Sequence, residues 1–205
     1  MTENGYEYVD LGLPSGTMWA TCNVGANKPE DYGLLFQFGR VDGYKYRDEN
    51  NKFRTKEQNK QDTGDVDIPL TTSCKVYKNN EILDLKDDAA HVNMGGKWRI
   101  PTLDQLEELV NNTRHKIETI NGVKGMTFTS IINSNQLFIP FAGWWYNGYY
   151  NAGYGAFVWS SQVSACFIDD AYLLDCNSDD AIIYLYFRSH AFSVRGVFKI
   201  NSNII

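Results

Sequence analysis

The sequence predicts an α+β domain, with two helices early in the chain and an antiparallel sheet of short strands after them. Three observations carry this. Helix-like spacing of apolar residues is confined to the part before residue 112. Beyond residue 116, short apolar runs alternate with period two. Turn residues punctuate those runs, most clearly at Asn121-Gly122.

Taken in order, Tyr6 to Val24 reads as two short strands separated by the turn residues Pro14-Ser15-Gly16. A segment from Pro29 to Phe38 predicts a short helix. Glu30 and Asp31 stand in its first turn, where carboxylates suit the helix dipole, and Tyr32, Leu35, Phe36 and Phe38 face the core. Residues 42–88 are rich in Lys, Asp, Glu, Asn and Gln and read as a solvated surface insert, with a small hairpin around Val76 to Leu83. Thr102 and Gln105 form a capping-box pattern before Leu106, Leu109 and Val110, so a helix should run from there to about Asn112. Strands are expected at Lys116–Ile120, Val123–Thr129, Leu137–Pro140, Phe157–Ser160, Ala171–Asp175, 182–187 and Phe192–Phe198. The whole of 1–205 reads as one domain, without internal repeats.

A chain of 205 residues with 43% hydrophobic content can bury its own core. Its formal charge of −6 argues against nucleic acid and anionic membrane surfaces, which demand a basic face. No apolar run reaches the length of a membrane span, and Met1 to Tyr6 carries no export signal. The four cysteines, Cys22, Cys74, Cys166 and Cys176, are expected as free thiols; the alternative is a bridge between Cys166 and Cys176 on neighbouring strands.

The window from Tyr146 to Phe198 has an unusual composition. It holds no Lys, no Glu and no Met, where average usage would supply roughly six. Tyr, Asp, Ser, Asn, Phe and Ile stand there instead. Tyrosine offers a large contact area at low rotamer cost, which is the chemistry of recognition loops. The region 144–198 therefore reads as a binding face.

Several motifs also carry a family resemblance. Tyr8-Val9-Asp10-Leu11-Gly12-Leu13-Pro14-Ser15-Gly16-Thr17-Met18-Trp19-Ala20-Thr21-Cys22-Asn23-Val24-Gly25-Ala26 resembles the opening of the Fibrobacter succinogenes major paralogous domain. So do Asp88-Ala89-Ala90-His91-Val92, Gly95-Gly96-Lys97-Trp98-Arg99-Ile100-Pro101-Thr102, Trp159-Ser160-Ser161 and Phe192-Ser193-Val194-Arg195. The resemblance covers nearly the whole chain outside the insert. It implies a C-type lectin-like fold, with two helices, an antiparallel sheet and long loops, related to formylglycine-generating enzymes and to variable proteins of diversity-generating retroelements.

In the retroelement group, template adenines are randomised on copying. Substitution at the first two bases of an Asn codon cannot produce Lys, Glu, Gln, Met or Trp. The window 146–198 contains no Lys, Glu or Met, and its single Gln162 and Trp159 lie together in a stretch that reads as fixed scaffold. The plain alternative is an ordinary Tyr-rich surface.

Other chemistry is weakly signalled. Asp175-Cys176-Asn177-Ser178-Asp179 starts like a calcium loop, but Asp180 stands where the turn needs Gly, and no Glu closes it. A calcium reading would rest on Asp169, Asp170, Asp179 and Asp180; a solvated acidic loop is the default. Gly153-Tyr154-Gly155 lacks the third glycine of a phosphate cradle. His91, His115 and His190 show no metal spacing.

The resulting expectation is a non-enzymatic binding protein without a cofactor, recognising a protein receptor or a glycan at a phage or gut-bacterial surface. The ligand-binding residues are expected to be Tyr146, Tyr149, Tyr150, Tyr154, Phe157, Cys166, Phe167, Ile168, Asp169, Asp170, Tyr172, Asp175, Asp179, Asp180, Ile182, Tyr184 and Tyr186. The rival is a structural module of a tail or surface fibre whose aromatic face packs into a homo-oligomer. A third reading is a copper oxidase of the formylglycine-generating type, for which no matching late cysteine pair is present.

Overall fold

The computed structural model describes residues 1–45, 54–55, 77–146, 148–178 and 180–200. A short hairpin of β1 (Thr2–Glu3) and β2 (Tyr6–Asp10) leads into β3 (Thr17–Asn23). The turn between β2 and β3 is closed by Gly16 N–H donating to Leu13 O at 2.8 Å. Its Ser15 hydroxyl and amide both donate to the Glu108 carboxylate, which ties the turn to a helix far along the chain.

The stretch expected as a helix at Pro29–Phe38 is a turn followed by β4 (Leu34–Gln37). Asp31 folds back to accept from the amides of Asn27 and Lys28. Gly33 then adopts φ +74°, outside the helical region, and a Cβ there would lie 2.6 Å from Val24 O, so the position requires glycine. All four residues of β4 are buried. A strand covered on both faces shows no period-two alternation, and its apolar run mimics a helix.

Next come β5 (Tyr44–Lys45) and β6 (Arg54–Thr55). The ends of the insert are not a solvated excursion: Tyr44, Tyr77 and Leu83 are buried. The expected hairpin at 76–83 includes Val76, which lies outside the described residues. From Tyr77 onward the segment turns on itself at Lys78–Glu81, where Glu81 N–H donates to Lys78 O at 3.2 Å, and then zips onto 161–164. Leu83 N–H donates to Ser161 O at 2.9 Å and Val163 N–H to Glu81 O at 2.9 Å.

Helix α1 (Ala89–Met94) was not anticipated, although its signals are local. The buried Asp88 carboxylate caps it by accepting from His91 N–H at 2.9 Å, and it also accepts from Ile100 N–H. Helix α2 (Leu103–Asn111) starts on the expected capping box of Thr102 and Gln105 and buries Leu106 and Leu109. Gln105 also donates to Thr17 on β3 at 2.9 Å.

The hairpin of β7 (Thr113–Ile120) and β8 (Val123–Ser130) turns at Asn121-Gly122, with φ of 50° and 84°. Those angles at both central residues are what a tight hairpin with right-handed strand twist requires. Then follow β9 (Gln136–Pro140), β10 (Trp144–Trp145), β11 (Tyr149–Tyr150), β12 (Ala156–Val163), β13 (Asp170–Cys176), β14 (Ala181–Phe187), β15 (Ala191–Ser193) and β16 (Arg195–Lys199).

The strands form three sheets. One runs β1-β2-β3-β16, a second β7-β8-β9, and the largest β14-β13-β12-β15-β4-β5-β6 with β10 and β11 attached beside β15. Pairing is antiparallel except between β12 and β15, which run parallel. Of the described residues 46% are strand and 11% helix, and the sheets curl into half-barrels. The α+β expectation is therefore corrected to a mostly β architecture: one of the two expected helices is a buried strand, and both helices found among the described residues are short.

The largest sheet is packed on both sides. Phe157, Trp159, Ala171 and Leu173 enter a core with Phe36, Phe38, Trp98 and Phe192. Ala156, Val158, Leu174, Cys176 and Ala181 turn the other way, into a core with Leu106 and Leu109 of α2. Arg195 is fully buried where the first two sheets meet. Its guanidinium donates to Asn23 Oδ1, Ala20 O and Phe138 O at 3.0, 3.0 and 3.1 Å. Burial pulls its pKa down to about 10, so it remains charged at neutral pH. Among the described residues, no helix is long and apolar enough to cross a membrane.

Candidate functional site

Register decides which side chains share a face. Phe157, Asp175 and Ile182 lie directly opposite one another on β12, β13 and β14, and so do Trp159, Leu173 and Tyr184 in the next row. Directly opposed residues point the same way, so these two rows and Tyr186 occupy one side of the sheet. The other side carries Tyr172 with Leu185, and Asp170 with Phe187.

The first side is an aromatic recess. Strands β14 and β15 are separated by β13 and β12, which in a flat sheet would place their side chains about 14 Å apart. Yet the Tyr186 and Phe192 rings are only 5.1 Å apart, because the sheet curls toward this face. The rings of Trp144 and Tyr150 stack at 4.5 Å, and those of Tyr146 and His190 at 4.3 Å. Trp144 also touches Tyr186, at 5.8 Å, and Tyr186 meets His190 at 4.8 Å. Beneath them the floor is fixed: the Trp159 indole donates to Phe36 O at 2.8 Å.

The electrostatics of this recess are those of a carboxylate among rings. Burial raises the Asp175 pKa, with a hydrogen bond from Asn177 working against it, and Asp175 Oδ1 is buried without a hydrogen-bond partner among the described residues. Burial, together with the nearby Asp175 charge, raises the Tyr186 phenol. Burial lowers the His190 pKa, which favours the neutral ring.

The structure gathers only part of the expected site. Tyr146, Tyr150, Phe157, Asp175, Ile182, Tyr184 and Tyr186 share the recess, although Phe157 is floor and not surface. Tyr154, 75% exposed, and Asp180 stand at the same end of the sheet, where Asp180 bonds His115 at 2.9 Å. Tyr149 turns to the underside of its hairpin, packs with Trp145 against Leu35, Tyr44 and Ala191, and donates its hydroxyl to Ala142 O. Asp170 and Tyr172 lie on the opposite face of the sheet, and the Tyr172 hydroxyl accepts from Ala165 N–H.

Cys166, Phe167, Ile168 and Asp169 form an exposed loop at the far end of β13. Asp179 lies outside the described residues. The acidic residues considered for calcium are therefore split. Asp169 and Asp170 are separated from Asp180 by the length of β13, about 20 Å for a strand of this size. Cys166, exposed, and Cys176, buried, sit at opposite ends of that strand and are free, as is Cys22; Cys74 lies outside the described residues.

Trp144, His190 and Phe192 were missed as site residues. Trp144 lies at the edge of the expected binding region, and His190 sits in a short link between strands. Their meeting depends on the curl of the sheet, which no local pattern encodes. Comparisons of the chain with known protein families, with characterised proteins and with solved structures found no match.

Proposed function

We propose that this protein is a non-enzymatic binding module that captures a protein or glycan partner with the aromatic recess of its largest sheet. The observation that carries this reading is the separation of frame and face within one segment. Trp159, Leu173 and Phe192 are locked into the core, while Ile182 and Tyr184 of β14 stand exposed on the same side of the sheet, Tyr184 at 54%. Such outer side chains can be exchanged without disturbing what lies beneath. They fall in the window that lacks Lys, Glu and Met, which supports adenine-directed diversification of the kind found in the retroelement proteins that the sequence resembles. Surface recognition by a phage or bacterium is the setting this reading suggests.

The test has two arms. Sequencing the DNA around the coding region should reveal a near-identical copy of the 146–198 segment that differs at adenines. A library randomised at Tyr150, Tyr154, Ile182 and Tyr184 should keep the parental melting temperature within a few degrees in most members. General unfolding of that library would overturn the reading.

A second reading, assembly, is favoured by β14 itself. It closes one end of the large sheet, carries no charged residue and exposes Ile182, Tyr184 and Phe187. Uncharged edge strands tend to pair with another chain. Light scattering that gives a dimer or larger mass, lost in Phe187→Lys, would favour assembly over capture by a monomer.

A further inference from the structure

We propose that the recess takes a cationic group, the guanidinium or ammonium of an Arg or Lys side chain presented by a protein partner, with Asp175 as its counter-charge. The inference rests on the binding-face reading above and names the chemistry of its ligand.

Asp175 is hydrogen-bonded by the Asn177 side chain, but no cation among the described residues answers its charge. Asp175 stands between Phe157 and Ile182 in the middle of an apolar row. One of its carboxylate oxygens, Oδ1, is buried with no hydrogen-bond partner among the described residues. A buried acceptor without a donor is costly, and one retained in a fold calls for a partner. The window from Tyr146 to Phe198 supplies five Asp and only two Arg, and both arginines are committed elsewhere. Arg195 is spent on Asn23, Ala20 and Phe138 inside the fold. Arg188 lies over the rings of Phe38 and Tyr77, at 5.1 and 6.0 Å. Neither serves Asp175.

The surrounding rings fit the same ligand. Tyr184, Tyr186, Tyr150 and Trp144 line the recess, and the electron-rich faces of aromatic rings attract cations most strongly where water is excluded. Arginine suits the place best, since a planar guanidinium can stack on a ring while its edge donates to a carboxylate. A sugar would also stack on the rings, but its hydroxyls need several polar partners of both kinds. Among the described residues, the side chains brought together here are aromatic or aliphatic apart from Asp175, its partner Asn177 and His190.

The experiment titrates the full chain with N-acetyl-arginine methylamide, its neutral isostere N-acetyl-citrulline methylamide, and the methyl glycosides of glucose, galactose and mannose. Binding is read from NMR shifts of the Trp144 indole and the Tyr184 amide. The arginine compound should bind saturably, and the citrulline compound about tenfold more weakly, as expected for loss of one charge-assisted contact. Asp175→Asn should weaken arginine binding by about the same factor and erase the preference for arginine over citrulline, with the melting temperature unchanged.

Equal binding of arginine and citrulline, or no effect of Asp175→Asn, would overturn the inference. Glycoside binding that persists in Asp175→Asn would replace the cation with a polyol and keep the binding face. Silence with every compound also rejects the cation, whereas the binding face itself stands or falls on the library and the flanking DNA.

Discussion

Replacing Arg195 by Met tests what holds the frame together. The change keeps a stem of similar length but removes the donors to Asn23 Oδ1, Ala20 O and Phe138 O. Each buried acceptor left alone costs about 1–3 kcal/mol, so the gross loss is roughly 3–9 kcal/mol. Relief from burying a guanidinium charge offsets several kcal/mol of that. A net loss of about 3 kcal/mol is expected. For a chain of this size that lowers the melting temperature by about 6–12 °C.

Arg195→Lys should be no better, because a single ammonium cannot reach acceptors on β3 and β9 in the directions a guanidinium fork allows. Urea denaturation of parent and both variants, read by tryptophan fluorescence and far-UV circular dichroism, measures the difference. If Arg195→Met lies within about 1 kcal/mol of the parent, the three hydrogen bonds do not hold β3, β9 and β16 together, and the reasoning fails.

Three further outcomes follow from the same structure. Thr102→Ala removes the cap of α2 and should cost about 1 kcal/mol, visible as a lower urea midpoint; Thr102→Ser should restore most of it. Phe157→Ala should cost about 3–5 kcal/mol because its ring is buried, whereas Tyr184→Ala should change stability by about 0.5 kcal/mol or less, and comparable losses at both positions would erase the distinction between floor and face. Because burial lowers the His190 pKa, the unfolded chain binds its proton more readily; this stability is present above the ordinary histidine value and is lost as pH falls through the folded one. Melting temperature measured from pH 7.5 down to 5 should show that slope, and His190→Phe should flatten it.

The sequence alone determined the features whose causes are local. Asn121-Gly122 wrote its hairpin because only that turn places both residues at positive φ. Thr102 and Gln105 wrote the start of α2, because a cap needs only residues three apart. The composition of 146–198 marked the segment that carries the recess.

Tertiary structure decided the rest. β4 looked helical because neighbours bury both of its faces, which erases the alternation that identifies a strand. The expected face was divided by strand register: a shift of one residue moves a side chain to the other side of the sheet, so Asp170 and Tyr172 part from Asp175. Trp144, His190 and Phe192 meet only because the sheet curls, and that curl sums small twists over many strands, none of them legible in any single stretch of chain.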